Sequence, residues 1–163
     1  MAKDKDKDIK TNAMRILETL GVKFEVITYE CDEFIDGVTV ADQLGQPYES
    51  SYKTLVAVGK SGGHYVFVVP IAEELDLKAA ARAVGEKSVE LIHVKDIFAL
   101  TGYIRGGCTP IGMKKAFPTV IHESAAEFDT IIISGGRIGA QILLAPADLV
   151  KVTRAKLADI IHH

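Results

Sequence analysis

The fold class this sequence predicts is α+β: a mixed, largely antiparallel sheet curled toward a barrel, with short peripheral helices. Three observations predict it. The chain has 163 residues, 48% of them hydrophobic, which suits one buried core. Stretches with helical spacing alternate irregularly with β-rich stretches, without the strand–helix–strand rhythm of a doubly wound sheet. Two β-rich runs also flank the polar turn Lys60-Ser61-Gly62-Gly63, the pattern of a hairpin. No repeat or linker divides the chain. Residues 11–163 are therefore expected to form a single domain, behind a flexible polar tail over residues 1–10 whose charges alternate from Lys3 to Asp8.

Each element has its own signal. Ile9, Ala13, Ile16, Leu17 and Leu20 recur at helical spacing, and Gly21 ends that helix. Lys23 to Tyr29 alternates as a strand. A short helix over Val38 to Leu44 stops at Gly45, with Pro47 beyond it. Tyr52 to Val58 and Tyr65 to Val69 are the arms of the hairpin. Asp76 caps a helix from Leu77 to Val84, which Gly85 ends. Val89 to Ile92 reads as a strand and Val94 to Leu100 as a helix ending at Gly102. Further strands are expected at Thr119 to Ile121, Thr130 to Ser134 and Gln141 to Leu144. Pro146 opens a helix, and Lys156 to Ile161 reads as a last one.

Composition excludes several function classes. The net charge is −3, whereas a protein that grips many phosphates by itself is usually basic. Any polyanion it meets is expected to be touched over a small area. Cys31 and Cys108 lie too far apart for a zinc motif, and His64, His93, His122, His162 and His163 form no ligand-spaced set apart from the terminal pair. No metal and no cofactor are expected. No apolar run reaches the roughly 18 residues needed to span a bilayer, and the N-terminus lacks a signal sequence's apolar stretch. A cytoplasmic protein with no membrane partner is expected.

Three features carry chemistry. Lys53 sits on a strand with Leu55 and Ala57 on its face. An ammonium there either guards a sheet edge or meets an anion. The segment from Gly106 to Gly112, preceded by Arg105 and followed by Lys114-Lys115, contains adjacent glycines and a stiffening Pro110. Such a loop is either a tight turn or a preorganised set of backbone donors. Ser134-Gly135-Gly136-Arg137-Ile138-Gly139 lacks the register of a dinucleotide fingerprint and is either a phosphate or ribose contact or a plain turn. Cys108 has no sequence-adjacent base to make it a nucleophile and is better read as a small loop-lining residue. These features fit a binder or esterase of small anionic or carbonyl ligands.

In combination they are more specific. Lys53-Thr54-Leu55, Thr101-Gly102-Tyr103 with Gly106-Gly107-Cys108-Thr109-Pro110-Ile111-Gly112, and Ser134-Gly135-Gly136 with Gly139 resemble the YbaK family of freestanding aminoacyl-tRNA deacylases. That family is similar to the editing domain inserted in bacterial prolyl-tRNA synthetases. The resemblance runs from about Thr11 to the end and is greatest to the branch acting on Cys-tRNA(Pro). It implies an essential lysine at Lys53 and a pocket for the terminal adenosine and its amino acid. Substrate contacts are implied for Tyr29, Thr54, Gly106, Gly107, Cys108, Thr109, Pro110, Ile111, Gly112, Ser134, Gly135, Gly136, Gly139 and Gln141. In that branch the substrate's own thiol attacks its carbonyl, releasing a cyclic thiolactone, so the enzyme mainly positions the ester. The implied partners are the aminoacyl-tRNA 3′ end and prolyl-tRNA synthetase. Two departures bear on specificity: Cys108-Thr109 stands where the family often has an aliphatic residue and serine, and Gln141 where some members have an acid. A non-catalytic module binding a tRNA 3′ end or nucleotide on the same fold is the competing reading.

Overall fold

The computed structural model describes residues 10–31 and 33–163, so most of the expected tail, and Ile9, lie outside the described residues. Helix α1 (Asn12–Thr19) starts where the Thr11 hydroxyl accepts the Met14 N–H, which satisfies one of the free donors of the first turn. Strand β1 (Phe24–Thr28) follows, then α2 (Gly37–Leu44), capped by the Asp36 carboxylate on Thr39 N and closed by Gly45 at φ 67°. The hairpin pairs β2 (Tyr52–Gly59) with β3 (His64–Pro70), from Tyr52 opposite Pro70 to Val58 opposite His64. Helix α3 (Leu77–Val84) carries the cap and stop that the sequence predicts. Asp76 accepts from Lys78 N and Ala79 N, and Gly85 takes a left-handed φ of 74°.

β4 (Val89–Leu91), α4 (Val94–Thr101), β5 (Thr119–His122), a 3-10 turn (Glu123–Glu127), β6 (Ile131–Arg137), β7 (Ala140–Leu144), α5 (Pro146–Thr153) and β8 (Lys156–Ala158) complete the order. The strands form two sheets among the described residues. One is five-stranded and mixed, in the order β4-β2-β3-β5-β8. The other is three-stranded and antiparallel, in the order β1-β7-β6.

The class is therefore α+β, and most strand pairs are antiparallel. The expected curl toward a barrel is not found. Each sheet ends in outer strands that do not close on one another: β4 and β8 in one, β1 and β6 in the other. The two sheets instead pack as layers. One face of the β2–β3 hairpin buries Tyr52, Val66 and Val68 against Ile131, Ile133, Ile142 and Leu144 of the small sheet, with Ala13, Met14 and Leu17 of α1. The other face buries Ala57, Phe67 and Val69 against Leu75 and Ala80-Ala81 of α3. This alternation is the period-two geometry of a strand buried on both sides.

The expected helix at Lys156 to Ile161 is also corrected. Arg154 at φ 57° ends α5, and the chain runs on extended as β8, parallel to β5. Ile160 is fully buried; its N–H donates to His122 Nδ1 (3.3 Å) and its carbonyl accepts from Asp76 N (2.8 Å). An available sheet edge with these long-range bonds overrides the weak local helical spacing. Similarly, β6 does not stop at Ser134 but continues through Gly135 and Gly136 to Arg137, with an irregularity in its pairing to β7.

Two glycine segments meet across this layer. A Cβ built on Gly107 would lie 2.7 Å from the Arg137 Cα, with backbone rather than a flexible side chain in the way. Gly107→Ala is expected to lower stability by about 1–3 kcal/mol, the usual cost of overpacking. Urea denaturation checks this, and a loss below about 0.5 kcal/mol would mean the two segments separate easily.

Candidate active site

The sheets are joined at one seam. Ser51 bridges Ile132 of β6, Ile132 N donates to Ser50 O, and Ile71 N donates to Ser51 O, each bond at 2.9 Å. Beside this seam lies a cleft of about 360 Å³ lined by both strands. Its floor is Ser51 to Leu55 and Ile132 to Ser134. Its rim is the turn into α2, from Phe34 to Val38, faced by Arg105, Gly106 and Cys108. That volume is within the range of small-ligand sites.

Lys53 lines this cleft, half-buried and opposite Val69 in the register. It is not at a free sheet edge, since β2 lies between β3 and β4 and its open stretch beside Lys53 meets β6. Among the described residues the ammonium makes no ion pair. Burial pushes its pKa below the usual lysine range, and Glu74, Asp36 and Glu73 pull it back part of the way. The sign follows from proton counting. With the folded pKa below the unfolded one, the unfolded chain binds more protons in that window, so stability rises with pH through it. At neutral pH the charged lysine costs the fold some stability.

Thr54, next on the strand, holds a buried Oγ1 with no hydrogen-bond partner among the described residues. Tyr29 also lines the cleft; desolvation raises its phenol pKa, so it stays a neutral donor. Ser134 and Gln141 face each other across β6 and β7 and both reach the cleft. Gln141 is not free, because its amide exchanges reciprocal hydrogen bonds with that of Gln46, at 2.7 and 3.2 Å. Cys108 is buried, and desolvation pushes its thiol up to about 11, so it is a neutral SH at physiological pH.

Seven of the sequence-derived positions thus converge on the cleft: Tyr29, Lys53, Thr54, Gly106, Cys108, Ser134 and Gln141. The others lie behind it and shape it. Gly107 N–H donates to Ile104 O (2.9 Å), closing a turn instead of facing a ligand. Thr109, Pro110 and Ile111 are buried, Ile111 in the core, and Tyr103 Oη donates to Ile111 O (2.6 Å) while Asn12 Nδ2 donates to Gly112 O (2.9 Å). Gly135 O accepts the Thr11 hydroxyl (2.6 Å), and a Cβ on Gly136 would strike Thr11 at 2.9 Å. Gly139 O accepts Tyr29 N (2.9 Å), which fixes the tyrosine at the cleft. These glycines make turns and close contacts within the fold.

Sequence reasoning missed the far rim. Phe34, Asp36, Gly37 and Gln46 all line the cleft, and the Arg105 guanidinium stacks over the Phe34 ring at 4.0 Å. The one signal present was Asp36 three residues before Thr39, a cap pattern that marks a helix start and not a ligand site.

The sequence profile of the "Aminoacyl-tRNA editing domain" matches residues 36–152, which spans the rim, the floor and both glycine segments. The chain belongs to this family. Among relatives of this editing-domain chain, the Enterococcus faecalis protein EbsC, whose name assigns it as a Cys-tRNA(Pro)/Cys-tRNA(Cys) deacylase, is 46% identical over 98% of both chains. The Escherichia coli multifunctional Ser/Thr-tRNA deacylase ProXp-y is 23% identical over 88% of this chain and 87% of its own. A crystal structure assigned as a trans-editing enzyme for prolyl-tRNA synthetase superposes with a TM-score of 0.82 at 27% identity, covering 96% of this chain and all of the other.

The thiol chemistry is directly measurable. With its pKa near 11, Cys108 holds only about one part in a thousand as thiolate at pH 8. Alkylation of the folded chain at that pH is expected to label Cys31 and leave Cys108 unmodified by peptide mass analysis. Rapid labelling of Cys108 would show an activated thiol and reopen its role as a nucleophile.

Proposed function

We propose that this aminoacyl-tRNA editing deacylase clears Cys-tRNA(Pro), taking the tRNA 3′ end into the cleft between β2 and β6. The observation that carries the proposal is Lys53: a half-buried ammonium without an ion-pair partner among the described residues, on the wall of the cleft. An uncompensated cation in a partly desolvated site is costly to the fold and suits a group where negative charge develops. The extensive match to a relative named for Cys-tRNA(Pro) and Cys-tRNA(Cys) supports cysteine as the amino acid.

The lining residues fit an enzyme that positions more than it attacks. Among the described residues the cleft's lining has no histidine, its one cysteine is a neutral thiol, and its donors include Lys53, Arg105 and Tyr29. A substrate thiol can supply the nucleophile. Its sulfur attacks the ester carbonyl, the bond to the ribose oxygen breaks, and the thiol proton ends on that oxygen, leaving a cyclic thiolactone and free tRNA. Lys53 and Tyr29 would offset charge on the carbonyl and ribose oxygens, and Thr54 Oγ1 would gain the partner it lacks. Few cations surround the cleft on a chain of net charge −3, so much of the affinity for the rest of the tRNA would come from prolyl-tRNA synthetase, with the complex in the cytoplasm.

Lys53→Met separates chemistry from folding. Deacylation is expected to fall on the order of 10²-fold or more, as for other preorganised electrostatic groups. The melting temperature should stay at or above that of the parent, because the desolvated charge is removed. Activity within about threefold of the parent would remove Lys53 from the mechanism.

Substrate-assisted attack is tested by single-turnover deacylation of Cys-tRNA(Pro) and Ser-tRNA(Pro). The esters are nearly equal in size, so fit alone should separate them only modestly. The cysteinyl ester is expected to react much faster, and Cys108→Ala should keep most of the activity. Equal rates on the two esters, or collapse of the Cys108→Ala variant, would contradict it.

A further inference from the structure

The cleft contains charges of both signs, and they are arranged unevenly. Lys53 and Arg105 are its cations, and Asp36 is the one carboxylate among the described residues that line it. Asp36 sits on the rim at the start of α2. Its Oδ1 accepts Thr39 N at 3.0 Å, a bond that fixes the side chain at the helix start. The Thr39 side chain also hydrogen-bonds the carboxylate; Asp36 and Lys53 act on one another electrostatically, yet no ion pair within 4.0 Å joins them. Two opposite charges thus border one cavity without neutralising each other.

An aminoacyl ester needs both. Its carbonyl and ribose oxygens gain negative charge during cleavage, while its α-amine, protonated, is a cation one atom away from the carbonyl. A site with only Lys53 and Arg105 would repel that ammonium. Gln141 carries no charge to offset it, and its amide already exchanges hydrogen bonds with Gln46. We infer that Asp36 is the residue that binds the substrate's α-ammonium, orienting the ester with its carbonyl toward Lys53 and selecting aminoacyl esters with a free amine. Hydrogen bonds from Thr39 hold the carboxylate below its usual pKa, so it is ionised across the physiological range.

This inference rests on the deacylase reading, and the test keeps the two apart. Asparagine caps helices about as well as aspartate, so Asp36→Asn keeps the bond to Thr39 N and removes only the charge. The substrates are Cys-tRNA(Pro) and the same ester acetylated on its α-nitrogen, which keeps its thiol but loses its ammonium. The parent chain is expected to prefer the free-amine ester by about tenfold or more in kcat/KM, a typical scale for a charge-assisted hydrogen bond. In Asp36→Asn that preference should shrink to within about twofold, mainly through a higher KM for the free-amine ester. A merely structural role for Asp36 would slow both esters together and leave the ratio intact, which would overturn the inference. So would a parent chain that cleaves both esters equally well. If the parent cleaves neither ester, the deacylase reading falls and the inference falls with it.

Discussion

The cleft depends on the backbone seam at Ser50-Ser51 and Ile132. Two backbone hydrogen bonds there, one of them within the Ser51–Ile132 bridge, hold the start of β2 against β6 and against Ile71 after the end of β3. The two strands belong to different sheets and are pinned together at that point, and the cleft lies beside it, lined by both. Ser51 is buried, and its hydroxyl donates to Pro47 O (2.7 Å), so the seam is anchored from the α2 side as well. Lys53 is two residues along the strand from Ser51. Its burial, its depressed pKa and its distance from the rim carboxylate all follow from where the seam sits.

The glycine segments serve this arrangement from behind. Gly107 lies against the backbone of Arg137, Gly136 against Thr11, and Gly139 against the carbonyl of Tyr29, each at a separation that a Cβ would violate. Close backbone approach lets α1, β6 and the loop after α4 converge on one region. The positive φ of Gly106, Gly136 and Gly139 allows the turns that close approach requires. The wall facing Lys53 is therefore built from packed backbone, with the buried thiol of Cys108 among it. Rigid support of this kind is what a site needs if it works by orientation and electrostatics.

Local signals were legible where one residue decides local geometry. Asp76 and Gly85 bound α3 as their chemistry requires, and the polar turn after Gly59 produces the hairpin that carries Lys53. The sequence was less informative where distant parts of the chain decide the outcome. Lys156 to Ile161 has weak helical spacing, but an open edge on β5 and the His122 and Asp76 bonds to Ile160 draw it into a strand. A barrel was expected because many short strands suggest closure, whereas the faces of β2 and β3 are buried on two separate layers. At the site, Lys53 was visible as a cation on an apolar strand. Asp36 was visible only as a helix cap, since its place opposite Lys53 comes from the fold.

The central claim is that the aminoacyl ester lies in the cleft beside Lys53. A hydrolysis-resistant mimic, with cysteine joined to 3′-amino-3′-deoxyadenosine through an amide, tests it by NMR titration of the isotope-labelled chain. The account predicts chemical-shift changes concentrated at Lys53, Thr54, Gly106, Ser134 and Asp36. Changes confined to a separate groove, lined by Leu91, His93 and Asp96 between β4 and α4, with the cleft silent, would contradict it.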